Sequence, residues 1–229
     1  MSSRPLRLAY LGFALLGAAV VGAFVYDRLL RPPPAAAPLP APPAARAMPD
    51  PPPTVPARRP DITLSGLDGR KHSLAEWDGK ALVINFWATW CAPCRHEIPL
   101  LNKIRADRAG PGFEVVGIAV DFADDVRAFT KDFPIAYPLL IGEEDGLEAA
   151  RAFGVVALAF PFTAFTDARG RIITVHLGEL HAPEAEAILA VVARVDAGEL
   201  TPEAARGAVK TALAALPAAP LGKAPPGRI

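Results

Sequence analysis

The chain has 229 residues, 52 % of them apolar, and its 24 basic and 24 acidic side chains give a formal net charge of zero at neutral pH. This balance argues against a nucleic-acid partner, because such proteins carry a strongly basic surface. The length allows one domain with a full hydrophobic core beside shorter accessory segments, and no internal repeat is present.

The N-terminal segment is apolar and long enough to cross a membrane. Residues 8–26 carry no charge, and a helix of that length spans about 28 Å, close to the hydrocarbon core of a bilayer. A cleaved signal peptide is the alternative, but its apolar region is normally shorter and its cleavage site is not flanked by prolines. We therefore predict a membrane anchor over residues 1–31, with 8–26 as a single-pass helix.

Residues 32–60 have the composition of a linker. They contain 13 of the 26 prolines of the chain, and alanine fills most of the remaining positions. Such a segment holds neither a helix nor a core and favours the extended polyproline II conformation. We interpret it as a semi-rigid spacer that holds the following domain away from the membrane.

Residues 61–196 are predicted to form one α/β domain. The predicted strands are 62–64 with a hairpin turn around 68–69, then 81–87, 113–120, 162–166 and 172–177. The predicted helices are 92–108, 124–132, 145–153 and 184–195. This order predicts a central sheet with helices on both faces.

A further helix is predicted after this domain, within residues 197–229. Thr201 is a good N-cap and Pro202 suits the first helical position, so a helix is expected to run to Leu216. The proline- and glycine-rich residues 217–229 are expected to be disordered.

The only two cysteines of the chain, Cys91 and Cys94, lie between a predicted strand and a predicted helix. On the first turn of a helix this spacing brings both sulfurs within bonding range, because a disulfide needs Cα atoms about 4.4–6.8 Å apart. A helix N-terminus favours negative charge and lowers the pKa of the Cys91 thiol. Pro93 suits this first turn. We predict that Cys91 is the attacking thiolate and Cys94 the resolving thiol.

Three other readings of the cysteine pair are less favoured. A zinc site needs four ligands, and His176 and His181 lie far downstream. Covalent haem attachment needs a histidine directly after the second cysteine, where the chain has Arg95. An inert disulfide across so short a loop would constrain the unfolded chain little. No glycine-rich phosphate-binding pattern follows a strand, so we expect no metal and no cofactor.

The domain resembles the thioredoxin superfamily, and more narrowly the membrane-anchored TlpA/ResA-like thiol-disulfide oxidoreductases, which are related to the reductases of cytochrome c maturation. The run from Asn85 to Pro99 (NFWATWCAPCRHEIP) carries the resemblance. Further matches lie at 116–121, 152–155 and 160–167. The resemblance implies a thioredoxin-like fold with a central mixed sheet flanked by helices.

The same resemblance implies residues that hold a substrate. Pro161 matches the cis-proline of the family, which faces the cysteine pair. Phe160 would then offer its backbone N–H and C=O groups to an extended partner chain. Trp90 is expected to cover the thiolate and contact partners, and with Pro93 it completes the predicted substrate-binding set.

Glu97 matches the acidic residue that the ResA-like branch places near its thiols. A partly buried carboxyl group there would have a raised pKa and would relay a proton to or from Cys94. The alternative is a surface carboxylate paired with Lys103 or Arg105. Thioredoxins place a buried aspartate where this chain has Asn85, which cannot take up a proton, and this departure increases the weight on Glu97.

The expected function is that of an exported thiol-disulfide oxidoreductase in the inner membrane, with its catalytic domain on the periplasmic side. We expect a monomer. The resemblance implies that it reduces disulfide-containing proteins of cytochrome c maturation or metal-centre assembly. A membrane electron-donor protein would re-reduce it. Ala88 stands where the peroxidases of this fold have threonine, which disfavours peroxidase activity. The alternatives are a disulfide oxidase or isomerase on the same fold, and a chaperone or binding module whose thiols are incidental.

Overall fold

The computed structural model describes residues 55–155 and 159–217. The predicted anchor, the predicted linker up to residue 54 and the predicted disordered tail from residue 218 lie outside the described residues. Within the described ranges, no helix combines the length and the apolar character needed to cross a membrane.

Seven strands and five α-helices form the described part of the chain. The strands are β1 (Thr63–Gly66), β2 (Lys71–Ser73), β3 (Ala81–Trp87), β4 (Phe113–Val120), β5 (Leu139–Gly142), β6 (Phe162–Thr166) and β7 (Ile172–Leu177). The α-helices are α1 (Ala92–Asp107), α2 (Ala123–Asp132), α3 (Glu144–Ala152), α4 (Ala182–Asp196) and α5 (Pro202–Ala214), and a 3-10 helix covers Leu74–Trp77.

The strands form one mixed sheet in the order β2-β1-β5-β4-β3-β6-β7. The pairs β3–β4 and β4–β5 are parallel, and the remaining pairs are antiparallel. In the centre of the sheet, Asn85 of β3 lies between Gly117 of β4 and Thr163 of β6. These three residues share one face of the sheet, because side chains alternate along a strand.

Helices cover both faces of the sheet, as the order of elements predicted. All seven residues of β3 are buried, which is typical of a strand that is covered on both sides. Val83 and Trp87 face the core formed with α1, α2, α4 and α5. Leu82 and Phe86 face the opposite core, formed with α3 and the 3-10 helix.

Strand β5 and the 3-10 helix are the elements that the sequence did not predict. Strand β5 has four residues and follows Pro138 directly, so it lacks the alternating pattern that marks a longer strand. It is held from both sides, antiparallel to β1 and parallel to β4. Its neighbours, and not its own sequence, therefore determine its conformation.

The packed domain extends beyond the range 61–196 at both ends. Near its start, Ile172 N donates a hydrogen bond to Ala57 O, and Arg59 N donates one to Gly170 O. Near its end, α5 packs against α4 and β7, with Ala205 and Val209 buried.

Candidate active site

Both cysteines lie where β3 ends and α1 begins. Cys91 is the N-cap of α1, and its Sγ accepts a hydrogen bond from Cys94 N at 3.3 Å. A disulfide joins Cys91 to Cys94 across a Cα–Cα distance of 5.3 Å. The strand–turn–helix arrangement predicted for the pair is present.

The two cysteines differ in their access to solvent. Cys91 is 4 % exposed and Cys94 is completely buried, while the neighbouring Ala92 is exposed and Pro93 is half-buried. Since Cys91 also lies at the N-terminus of α1, it is the sulfur that a partner molecule reaches first and the one whose anion the helix favours.

The turn that carries Cys91 is fixed through Thr89, a feature that the sequence did not predict. Asp121 Oδ2, just after β4, accepts hydrogen bonds from Thr89 N at 3.0 Å and from Thr89 Oγ1 at 2.6 Å. Arg95 Nη2 donates to Thr89 O at 2.8 Å. The only signal for this contact is the position of Asp121, at the end of a strand parallel and adjacent to β3.

Trp90 and Phe160 form an aromatic rim beside the disulfide. Trp90 is 67 % exposed, and its ring centroid lies 6.0 Å from that of the half-buried Phe160. The Phe160–Pro161 peptide bond is cis, as the resemblance implied. Pro161 O accepts a hydrogen bond from Gly178 N at 2.9 Å, which joins this loop to the end of β7. Trp87, by contrast, is fully buried in the core.

Glu97 lies one helical turn after Cys94 and is 1 % exposed. Its Oε1 accepts a hydrogen bond from Asn85 Nδ2 at 2.7 Å, and its Oε2 accepts one from Leu180 N at 3.0 Å. The alternative of a surface ion pair is wrong. Lys103 pairs with Asp107, and Arg105 pairs with Glu114.

Burial raises the pKa of Glu97 from 4.5 to about 7. The hydrogen bonds from Leu180 and Asn85 oppose this rise, and the negative charge of Glu179 adds to it. Burial, and then the charge of Glu97, raise the pKa of Tyr137. Tyr137 therefore stays neutral, whereas Glu97 changes its protonation state near neutral pH, as a proton relay requires.

Glu179 lies directly before the residue that donates to Glu97 and contacts two imidazoles. Its Oε2 is 3.4 Å from His96 Nδ1, and its Oε1 is 3.9 Å from His181 Nδ1. This contact was not predictable from the sequence, because Glu179 and His96 are 83 positions apart. The negative charge that acts on Glu97 thus belongs to Glu179, in the segment before α4.

Among residues 55–155 and 159–217, no group of three or more histidine, cysteine, aspartate or glutamate side chains is placed to hold a metal ion. His176 lies 3.7 Å from Glu184 Oε2 instead.

Comparison with known proteins gives one family and several relatives. The family model described as the AhpC/TSA family matches residues 55–175. The thioredoxin-like protein YneN of Bacillus subtilis is 34 % identical over 133 residues, which cover 56 % of this chain and 74 % of YneN. The thiol-disulfide oxidoreductase ResA of Geobacillus thermodenitrificans is 33 % identical over 122 residues, which cover 53 % of this chain and 68 % of ResA.

The fold is similar to that of solved thiol-disulfide proteins. The crystal structure of a DsbF homologue from Corynebacterium diphtheriae superimposes with a TM-score of 0.52 and 30 % sequence identity. The match covers 59 % of this chain and 85 % of that protein. The mixed sheet and the placement of its helices are thus those of a thioredoxin-like fold.

The buried carboxyl group makes a testable contribution to stability. Because the folded pKa of Glu97, about 7, lies above the ordinary value of 4.5 for a glutamate, the contribution is fully present below pH 4.5 and is lost as pH rises through 7. Each pKa unit is worth about 1.4 kcal/mol. We therefore compare the free energies of unfolding of oxidised Glu97→Gln and of the oxidised unmutated protein. The value for Glu97→Gln minus the value for the unmutated protein should increase by about 3 kcal/mol between pH 4.5 and pH 8.

This difference is measured by urea unfolding of both oxidised proteins across that pH range. The replacement Glu186→Gln, on the exposed part of α4, is the control and should leave the pH dependence unchanged. A constant difference between Glu97→Gln and the unmutated protein across the range would show that the carboxyl group titrates normally.

Proposed function

The chain belongs to the AhpC/TSA family and is a thiol-disulfide oxidoreductase, and from this premise we propose that it reduces disulfide bonds in partner proteins. The observation that carries the proposal is the Cys91–Cys94 pair at the N-terminus of α1, with the buried acid Glu97 one turn further along the helix. This arrangement combines a nucleophile, a resolving thiol and a proton carrier on one element.

The proposed reaction begins with both cysteines reduced. The Cys91 thiolate attacks one sulfur of the partner's disulfide, so that a mixed disulfide forms and the other partner sulfur leaves as a thiolate. The deprotonated sulfur of Cys94 then attacks Cys91. The Cys91–Cys94 bond forms, the bond to the partner breaks, and the partner has gained two electrons and, after protonation of its thiolates, two protons.

Glu97 has the properties of the proton carrier for the second step. The thiol of Cys94 must lose its proton before it attacks, and a carboxylate one helical turn away is a suitable acceptor. A pKa of about 7 lets Glu97 accept that proton and release it again near neutral pH. We assign Glu97 this role because it is the buried carboxyl group one helical turn after the completely buried Cys94.

The substrate-binding surface in this proposal is the aromatic rim and its neighbours. An exposed indole at Trp90 and the ring of Phe160 provide apolar contact area next to Cys91. The backbone of Phe160, held by the cis bond to Pro161, would pair with an extended segment of the partner. Pro93, half-buried in the first turn of α1, completes the proposed set.

The location and partners are also proposed. The uncharged segment 8–26 supports a single-pass anchor in the inner membrane. We place the catalytic domain on the periplasmic side, because disulfide bonds, its proposed substrates, persist there. A membrane electron-donor protein would restore the thiols. The resemblance to reductases of cytochrome c maturation supports apocytochrome c, or a metal-centre assembly protein, as the substrate. Ala88 has no hydroxyl group at the position three residues before Cys91, where the peroxidases of this fold have threonine, and this argues against peroxidase activity.

The two cysteines are expected to fail in different ways when they are replaced. Cys94→Ala should accumulate a mixed disulfide with an oxidised substrate such as insulin, because Cys91 still attacks and nothing resolves the product. Cys91→Ser should form none. Both variants should lose turnover by more than about a hundredfold. Non-reducing electrophoresis and a thiol-release assay measure these outcomes, and turnover that persists in Cys91→Ser would favour a non-catalytic binding module.

The direction of transfer depends on the reduction potential of the Cys91–Cys94 pair. For a reductase we expect the full-length protein to equilibrate near or below about −250 mV against a dithiothreitol or glutathione buffer. Alkylation of free thiols followed by mass spectrometry measures the reduced fraction. A potential above about −150 mV would identify a disulfide oxidant instead.

The membrane anchor is tested by fractionation. The full-length chain should stay in the membrane pellet after alkaline carbonate washing, because a spanning helix is not extracted by breaking electrostatic contacts. A version in which Leu15 and Leu16 are both replaced by arginine should lose this retention. Recovery of the protein in the supernatant as a species shortened at its N-terminus would indicate a cleaved signal peptide.

A further inference from the structure

The side-chain amide of Asn85 makes all of its described contacts through one atom. Asn85 Nδ2 donates to Glu97 Oε1 at 2.7 Å and to Thr163 Oγ1 at 3.0 Å. Its Oδ1 is buried and has no hydrogen-bond partner among the residues that the structure describes. Asn85 and Thr163 are fully buried, so Glu97 and Thr163 are the two partners of this side chain among the described residues.

These contacts suit the ionised form of Glu97 better than the neutral acid. A carboxylate accepts hydrogen bonds at both oxygens, but a carboxylic acid must donate one. Since Leu180 N already occupies Oε2, the proton of the neutral acid belongs on Oε1, which faces Asn85 Nδ2. Two donors would then face each other in a buried site, which is unfavourable.

Rotation of the amide by 180° removes this conflict. The rotation exchanges Nδ2 and Oδ1 with almost no change in shape. Asn85 Oδ1 would then accept from the Glu97 carboxylic acid and also from the Thr163 hydroxyl, which either donates or accepts. The exchange breaks no other described hydrogen bond, because Oδ1 has no partner among the described residues in the starting orientation.

We propose that Asn85 is a positioning residue whose side-chain amide inverts each time Glu97 gains or loses its proton. The amide donates to the carboxylate and accepts from the acid, so neither state leaves a donor facing a donor. This inference rests on the proposed function, in which Glu97 exchanges a proton with Cys94. It adds a residue that allows the exchange to occur in a site that water does not reach.

Four other titratable side chains lie on the elements that surround Glu97. On α1 these are Cys94 and His96, the segment before α4 contributes Glu179, and the segment before β5 contributes Tyr137. His181 also contacts Glu179. In the oxidised protein the cysteines do not titrate, and Tyr137 stays neutral because its pKa is raised. The oxidised full-length chain is therefore the form in which to observe Asn85.

The composition of the chain makes the amide directly observable. The chain has two asparagines, Asn85 and Asn102, and no glutamine, so ¹⁵N-asparagine labelling gives two side-chain NH₂ groups in an NMR spectrum. Asn102 is an internal control whose amide is held at both ends. Its Nδ2 donates to Pro134 O at 2.9 Å, and its Oδ1 accepts from Ala136 N at 2.7 Å.

The measurement follows nuclear Overhauser contacts from the Asn85 amide hydrogens to the Thr163 methyl group, in oxidised deuterated protein with protonated threonine methyls. We expect the contact to be strong at pH 9 and lost at pH 5. Its midpoint should coincide with the titration of the Glu97 carboxyl carbon, and the Asn102 contacts should not change. Glu97→Gln should show the pH 5 pattern at both pH values, because its amide must donate towards Asn85 when its oxygen accepts from Leu180.

Two results would overturn the inference. One is an Asn85–Thr163 contact that persists at both pH values while the Glu97 carboxyl carbon titrates. The other is an equal change at Asn102, which would indicate a general conformational change. Neither readout involves turnover or a substrate, so failure of the inference is distinguishable from failure of the proposed disulfide reduction.

Discussion

The burial of the Glu97 carboxyl group is the constraint on which the geometry of the site depends. One side chain on α1 is hydrogen-bonded to β3 through Asn85 and to the segment before α4 through Leu180. Asn85 extends the connection to Thr163 on β6. These are the elements that surround the cysteine pair, so the acid that is proposed to move the proton also fixes the helix that carries the thiols.

This arrangement sets desolvation against hydrogen bonding, and desolvation is the larger effect. The two N–H donors favour the ionised form of Glu97, yet its pKa still rises to about 7. With fewer donors, Glu97 would remain protonated through the physiological range, and with free access to water it would remain ionised. The functional pKa thus results from nearly complete burial together with two opposing hydrogen bonds.

The fold and the cysteine pair were predictable because their signals are local. The run of strand-forming residues from Ala81 to Trp87 predicted the central strand β3. Two cysteines three positions apart at the start of a helix lie close together in any fold. Strand β5 was missed because four residues give no periodicity. The contacts of Glu97 were missed for another reason. Leu180 is 83 positions away from Glu97, and only the completed sheet brings them together.

The role of Asn85 was not predictable from the group that it lacks. From the sequence it is a position without a titratable group, which leaves Glu97 as the acid of the site. In the structure it contacts Glu97 at 2.7 Å. An aspartate at this position would place two carboxyl groups in contact, and like charges so close cannot both ionise, so their titrations would be coupled. The amide is neutral and offers both a donor and an acceptor, so the proton exchange stays on a single residue.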